Sequence, residues 1–128
     1  MKIKLLIISI LGFLFLSGCF ENEQELYVCE ETLVVAEEMP QPEKGIAELQ
    51  NQVIYPEEAK ELGVEGRVTV NFVINKIGRV INPQVVRGIG AGADEEAMRV
   101  VRNSTWRPAF EKGEPVCINF ALSINFRL

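Results

Sequence analysis

The chain has 128 residues, of which 13 are basic and 18 acidic, and it contains three cysteines and no histidine. The net charge of −5 argues against binding to nucleic acid and against electrostatic binding to anionic lipid. Because histidine is absent and the cysteines stand at no metal-ligand spacing, a metal site is not expected, and the glycines of residues 88–92 lack the spacing of a nucleotide-binding loop, so no cofactor is predicted.

Residues 1–18 have the pattern of an export signal. Lys2 and Lys4 precede an uncharged run of Leu, Ile and Phe that is shorter than the ~18 to 20 residues of a membrane-spanning helix. The run ends in Leu-Ser-Gly-Cys19, which resembles a bacterial lipobox, so we predict that Cys19 carries a lipid and begins the mature chain. An ordinary signal peptide with an incidental cysteine, or an uncleaved anchor, is the alternative interpretation.

Residues 19–31 are predicted to form an acidic tether. Residues 19–45 carry eight glutamates and one lysine, whereas residues 46–128 carry ten acidic and ten basic residues. The membrane contact is therefore expected to be the lipid itself, with the protein facing the periplasm. Phe20, rather than an Asp, follows Cys19, which by the bacterial sorting rule favours the outer membrane over the inner one.

Cys29 and Cys117 remain once Cys19 is assigned to the lipid. Outside the cytoplasm two such cysteines can form a lasting disulfide. Cys117 can equally be an unpaired residue on the semi-exposed face of a strand, and the sequence leaves both interpretations open.

Short elements are predicted at the start of the domain. Residues 32–36 favour a short strand. Residues 45–53 place apolar side chains and Gln50 at helical spacing, which predicts an amphipathic helix on the domain surface. A second helix is predicted from Pro56 to Leu62, because proline is favoured at the first turn and a glycine follows the last residue.

A β-hairpin follows. Residues 66–74 alternate between apolar and polar side chains, residues 75–78 turn, and residues 79–87 return. Pro83 cannot donate a ladder hydrogen bond. The return strand is therefore expected to be bulged or paired on one side only.

Residues 95–103 are predicted to form the third helix, with Asp94 as its N-cap. Its inner stripe is predicted to consist of Ala97, Val100, Val101 and Ser104. Trp106 lies where this helix leads into the last strand, and we expect its side chain to be mostly buried.

The most regular pattern in the chain runs from Val116 to Leu128. Apolar residues occupy every second position, which predicts a long β-strand with one face in the core. At ~3.3 Å per residue it would run ~43 Å, which is more than the core of a small domain requires. We therefore expect something else to pair with this strand, at the positions of its polar face: Asn119, Ser123 and Asn125.

Together these elements predict an α+β fold. The order is β-β-α-β, with a small antiparallel three-stranded sheet, helices on one face and a long C-terminal strand.

Spaced residues through this domain resemble the C-terminal domain of the energy transducer TonB. The resemblance covers residues 32–128, and its landmarks are Tyr55, Pro56, Ala59, Gly63, Gly66, Val68, Phe72, Gly78, Val80, Trp106, Pro108, Gly113, Pro115, Val116 and Phe126. It implies a TonB-like fold and a segment that contacts the plug and the TonB box of outer-membrane receptors. That segment is Asn51, Gln52, Val53, Ile54, Tyr55 and Pro56, in which Val53 and Ile54 replace a more polar Pro-Gln pair.

No catalytic constellation is visible, so an enzyme is not expected. The resemblance implies a periplasmic module that pairs with receptor peptides by β-augmentation, associated with energy transduction and transmembrane transport. An inner-membrane helix and a long proline-rich spacer have no counterpart in the sequence, and the predicted tether reaches at most ~45 Å. The alternative is a structural or assembly lipoprotein that forms a homodimer through its last strand.

Overall fold

The computed structural model describes residues 28–128. Cys19, the predicted signal peptide and most of the predicted tether lie outside the described residues. Within them the helices are α1 Ile46–Asn51, α2 Glu57–Leu62 and α3 Ala93–Arg102. The strands are β1 Thr32–Leu33, β2 Gln41–Pro42, β3 Gly66–Ile74, β4 Val80–Arg87, β5 Trp106–Arg107, β6 Ala109–Glu111 and β7 Glu114–Phe126. None of the helices in this part of the chain is long and apolar enough to cross a membrane.

The α+β fold class and its central sheet are confirmed. β3 pairs antiparallel with β4 on one side and with β7 on the other, and the β3–β7 register runs from Gly66 opposite Phe126 to Ile74 opposite Ile118. The predicted count of three strands is wrong, because β1 and β6 add to β7 and give a five-stranded sheet. β2 and β5 form a separate two-stranded sheet. β1 lies within the short strand predicted over residues 32–36, but at two or three residues β1 and β6 are too short for a sequence period to reveal their place in the sheet.

The core lies between one face of the sheet and α3. Alternate residues of β3 and β7 are buried there against the inner side of α3, as the sequence patterns predict. Trp106 is 1% exposed, which confirms the expected burial, and its ring packs against Phe72 and Phe120. Leu128 is exposed although it continues the apolar alternation, because it lies beyond the last register pair with β3.

Two helices begin at residues other than the predicted ones. α3 begins at Ala93 with Gly92 as its N-cap, so the prediction of Asp94 as the cap is wrong. The Asp94 carboxylate instead accepts hydrogen bonds from the N–H groups of Ile89 (2.9 Å) and Gly90 (3.2 Å), and thereby organises the loop before the helix. Pro56 precedes α2 as its N-cap rather than serving as its first helical residue.

Cys29 and Cys117 form a disulfide with a Cα–Cα distance of 5.9 Å. The bond joins residues 88 positions apart and fastens the start of the described chain to β7. A loop of this length contributes about 4 kcal/mol to stability in the chain-entropy model.

Candidate functional site

The candidate site is the outer edge of β7, the side that faces away from β3. The register with β1 ends where Leu33 lies opposite Ile118, and the register with β6 ends at Val116. Beyond these points, among the described strands, residues 119–126 pair with β3 alone. An edge without a partner strand presents N–H and C=O groups to which another extended segment can bond.

Gln50 shows which backbone groups point outward. Its side-chain N–H₂ donates to the carbonyl oxygen of Asn125 (2.7 Å), and the Asn125 N–H donates to its side-chain oxygen (3.1 Å). The backbone groups of Asn125 therefore point away from β3. Because this direction repeats every second residue in an antiparallel ladder, those of Ser123, Ala121 and Asn119 point the same way. We call these four residues the outward row.

Three of the predicted partner-binding residues, Asn119, Ser123 and Asn125, belong to the outward row. Their side chains are exposed on the sheet face opposite the core. The Ser123 hydroxyl lies 3.0 Å from that of Thr69 on β3, and it thereby ties the edge strand to its neighbour. None of the side chains of the outward row is charged.

The other predicted residues, Asn51 to Pro56, lie beside the C-terminal end of β7. Asn51 ends α1, Pro56 precedes α2, and the segment between them is anchored to the domain at several points. The Tyr55 ring packs edge-on against Phe126 at 5.7 Å, and its hydroxyl donates to the Val64 carbonyl. Partial burial, helped by the charge of Glu65, raises the pKa of Tyr55.

An ion pair on α3 holds the backbone of this segment. Glu96 accepts the N–H of Ile54 at 2.6 Å, and Arg99 donates to the carbonyl of Gln52 at 3.0 Å. Glu96 and Arg99 are joined to each other by two hydrogen bonds of 2.6 and 2.8 Å. Arg99 is the main cause that lowers the pKa of Glu96, and the Ile54 N–H lowers it further against the opposing effect of partial burial.

We call Glu96 and Arg99, with their bonds to this segment, the Glu96–Arg99 clamp. It leaves the Ile54 side chain 69% exposed, while Gln52 and Val53 are half-buried. The segment meets β7 through Tyr55 and Phe126, next to the point where Gln50 bonds Asn125. Asn119 lies six residues further back along β7, about 20 Å away at the rise of an extended strand. A ligand that touches both Asn119 and Gln52 has to be extended.

Three residues of this site were missed by the sequence interpretation: Gln50, Glu96 and Arg99. Gln50 carried a usable signal, because it is a polar residue in the predicted inner stripe of a helix. Glu96 and Arg99 are an ordinary helical i,i+3 pair in sequence. Their partners are backbone groups of a distant segment, and no side-chain pattern identifies such contacts.

Comparison with known proteins matches the part of the chain that contains this site. Residues 51–128 match the family model described as the Gram-negative bacterial TonB protein C-terminal. Protein TonB from Escherichia coli (strain K12) is 36% identical over 78 residues, which cover 59% of this chain and 31% of that protein. Protein TonB from Salmonella typhimurium (strain LT2) is 37% identical over 78 residues, which cover 61% of this chain and 31% of that protein.

Among solved structures, the solution NMR structure of the Pseudomonas aeruginosa TonB CTD aligns with a TM-score of 0.44 and 26% sequence identity. That alignment covers 59% of this chain and 79% of the other. The chain thus spans less than a third of the length of the two full TonB proteins that it matches.

Proposed function

The chain belongs to the TonB C-terminal family, and from this premise we propose that its domain binds extended segments of outer-membrane TonB-dependent receptors. In this proposal a receptor segment, the TonB box or part of the plug, adds to the sheet along the outer edge of β7. The protein is a binding module associated with energy transduction and transmembrane transport, and it carries out no reaction itself.

The observation that carries the proposal is that β7 after Ile118 pairs with β3 alone among the described strands, and that Ala121 and Ser123 lie between the end of β1 and the contact of Gln50 with Asn125. Nine consecutive register pairs with β3 keep this strand free of bulges, and its outward row offers backbone groups at every second residue. Backbone pairing supplies affinity in such complexes, while alternate side chains supply selectivity. Ala121 and Ser123 lie in the middle of the row, and we assign them the central contacts.

The segment Asn51 to Pro56 is proposed as the second contact. The Glu96–Arg99 clamp holds its backbone in place before any ligand arrives, so little ordering is required on binding. The exposed side chain of Ile54 and the amide of Gln52 are the groups that we expect to touch the receptor.

We also propose that Cys19 carries a lipid and that the protein is held at the periplasmic face of a membrane, with the outer membrane favoured. Replacing Cys19 by serine removes the sulfur that takes the lipid, so the product should stay unprocessed or become soluble. Fractionation of cells and detergent partitioning measure this. A Cys19→Ser product that is processed and detergent-dependent like the parent would contradict the assignment.

Receptor binding is tested by calorimetric titration of the purified protein with peptides from the periplasmic ends of outer-membrane receptors. Sedimentation of the protein over a concentration series runs alongside. We expect a one-to-one complex and a protein that remains monomeric. No peptide binding up to millimolar concentration, together with a homodimer that depends on β7, would support a self-associating structural lipoprotein instead.

A further inference from the structure

The outer side of β7 already carries a strand of the same chain. β1 pairs with β7 in parallel, with Thr32 opposite Cys117 and Leu33 opposite Ile118. In a parallel ladder a residue bonds to the residues before and after its partner, which places the backbone of Leu33 against Cys117 and Asn119. The chain's own segment therefore reaches the first residue of the outward row.

The residues after β1 are suited to extend this pairing. A parallel register advances by one residue on both strands, so Val34 would come opposite Asn119 and Val35 opposite Phe120. Both valines are β-branched, which favours strands, and their exposed fractions are 71% and 74%. Neither belongs to a strand in the described chain. They lie where β1 ends and the free part of the edge begins.

The disulfide fixes this segment to the edge. Cys29 lies just before β1 and is bonded to Cys117, the residue that Thr32 faces. The segment therefore meets β7 intramolecularly, at an effective concentration of about millimolar or more. An external strand that uses the same positions has to displace it.

We infer that residues 31–35 are a tethered competitor for the partner strand at the start of the outward row. The inference rests on the proposed function, since the displaced segment gives way to the strand that a receptor supplies. The competitor also indicates what kind of receptor strand would replace it. That strand would be extended, would run parallel to β7, and would carry β-branched residues at the positions that Thr32 and Val34 occupy. Partners that need Cys117 or Asn119 are weakened by the competitor, whereas partners confined to Ala121 and Ser123 are not.

The test uses a synthetic peptide of the chain's own residues 30–36 as the probe and the purified full-length protein as the target. In the parent protein the tethered copy holds the edge, so the peptide should bind weakly. In Cys29→Ala/Cys117→Ala the disulfide that holds the segment against β7 is absent and only the chain after residue 35 still attaches it, so the peptide should bind about tenfold more tightly. A peptide with aspartate in place of both valines is the control and should not bind. Equal affinity in the parent and the double variant would overturn the inference.

A second pair of variants keeps the disulfide. Leu33→Pro removes the N–H that faces Cys117, so it should also raise the affinity of the peptide. Thr32→Pro removes an N–H that points away from β7, because adjacent residues alternate in direction, and it should leave the affinity at the parental value. Circular dichroism verifies that both variants are folded. If Leu33→Pro and Thr32→Pro behave alike, β1 does not compete for the edge.

Receptor peptides titrated into the same proteins separate this inference from the proposed function. Binding of receptor peptides that is equal in all variants, with no binding of the 30–36 peptide, leaves the receptor assignment in place and rejects the competitor. The predicted gain for the 30–36 peptide, with no binding of any receptor peptide, upholds the competitor and rejects the receptor assignment.

Discussion

The two edges of the central sheet differ in regularity. β7 keeps register with β3 over nine consecutive pairs, from Gly66–Phe126 to Ile74–Ile118. β4, at the opposite edge, pairs with β3 at five positions and shifts register twice. Pro83 in β4 has no N–H to donate, and Asn82 before it has a positive φ of 49°. The same β3 strand thus pairs with one neighbour in unbroken register and with the other in a register that shifts twice.

This difference shows that exposed apolar surface alone does not mark a strand-addition site. β4 carries the exposed Val86, whereas the outward row of β7 contains Asn119, Ala121, Ser123 and Asn125. Bulges and prolines are the devices by which edge strands avoid pairing. The expectation that a partner uses β7 follows from its unbroken backbone, and each prediction below acts on one edge, on both, or on the segment that flanks β7.

The largest effect is expected from Trp106→Ala, which removes packing from beneath β7 and the central strand β3. The ring packs against Phe72 of β3 and Phe120 of β7, and its N–H donates to the Ser104 hydroxyl at 2.9 Å. The substitution should cost about 3 to 5 kcal/mol of unfolding free energy, enough to unfold a domain of this size. Denaturant titration measures it. A loss below about 1 kcal/mol would show that Trp106 does not support the sheet.

Proline substitution separates the two edges. Ser123→Pro removes an outward N–H from the middle of β7, so it should weaken receptor-peptide binding about tenfold, or by about 1.4 kcal/mol. Pro83→Ala restores an N–H to β4 and should leave binding unchanged. Ser123→Ala, which keeps the backbone donor, is the matched control. Calorimetry on the three variants decides the matter, and a gain of binding by Pro83→Ala would place the partner on β4.

Glu96→Gln should weaken the attachment of the segment Asn51 to Pro56 and leave the strands β4 and β7 unchanged. The charged carboxylate is replaced at the point where it holds Ile54 and Arg99, so about 1 kcal/mol of stability should be lost. Amide exchange at Ile54 should become faster. Unchanged exchange at Ile54 would mean that the α3 ion pair does not hold the segment.

The stabilising contribution of the Glu96 carboxylate should depend on pH. The pKa of Glu96 is lowered in the folded protein from its ordinary value of 4.5, so its contribution is complete above that value. The contribution should be lost as the pH falls through the lower folded pKa. NMR titration of the Ile54 amide, compared between the parent and Glu96→Gln, should show a step below pH 4.5 in the parent alone.

The smallest effect on the fold is expected from Gln52→Ala. Arg99 contacts the Gln52 backbone carbonyl, which alanine retains, so stability should change by less than about 0.5 kcal/mol. Receptor-peptide binding should still weaken several-fold if the side-chain amide contacts the ligand. Parallel unfolding and binding measurements separate the two effects, and unchanged binding would remove Gln52 from the proposed contact.

The sequence predicted the elements whose pattern repeats over many residues. β7, the hairpin of β3 and β4, and the inner stripe of α3 all follow from hydrophobic periodicity. A short strand was predicted over residues 32–36, but its pairing with β7 was not, and β6 was missed, because two or three residues carry no period; the pairing of these strands with β7 is set by the disulfide and by the adjacent turn. Asp94 was assigned to the wrong role because loop and helix compete for the same carboxylate, and only the backbone conformation at Gly92 decides between them.

The candidate site was predictable only where a sequence pattern or the family resemblance marked its residues. Alternation placed Asn119, Ser123 and Asn125 on one face, and the family resemblance pointed to Asn51 through Pro56. The contacts that join these two sets run from side chain to backbone: Gln50 to Asn125, Arg99 to Gln52, and Glu96 to Ile54. Backbone groups are present at every residue, so a sequence cannot show which of them receives a distant side chain.

The most direct test of strand addition at β7 is amide hydrogen exchange, resolved by residue, with and without a receptor peptide. The outward N–H groups of Ala121 and Ser123 should exchange quickly in the free protein and become protected in the complex. Amides of residues 84–86 in β4 should exchange equally in both states. Protection that appears in β4, or a complex in which Ala121 and Ser123 stay unprotected, would contradict the assignment of the docking edge.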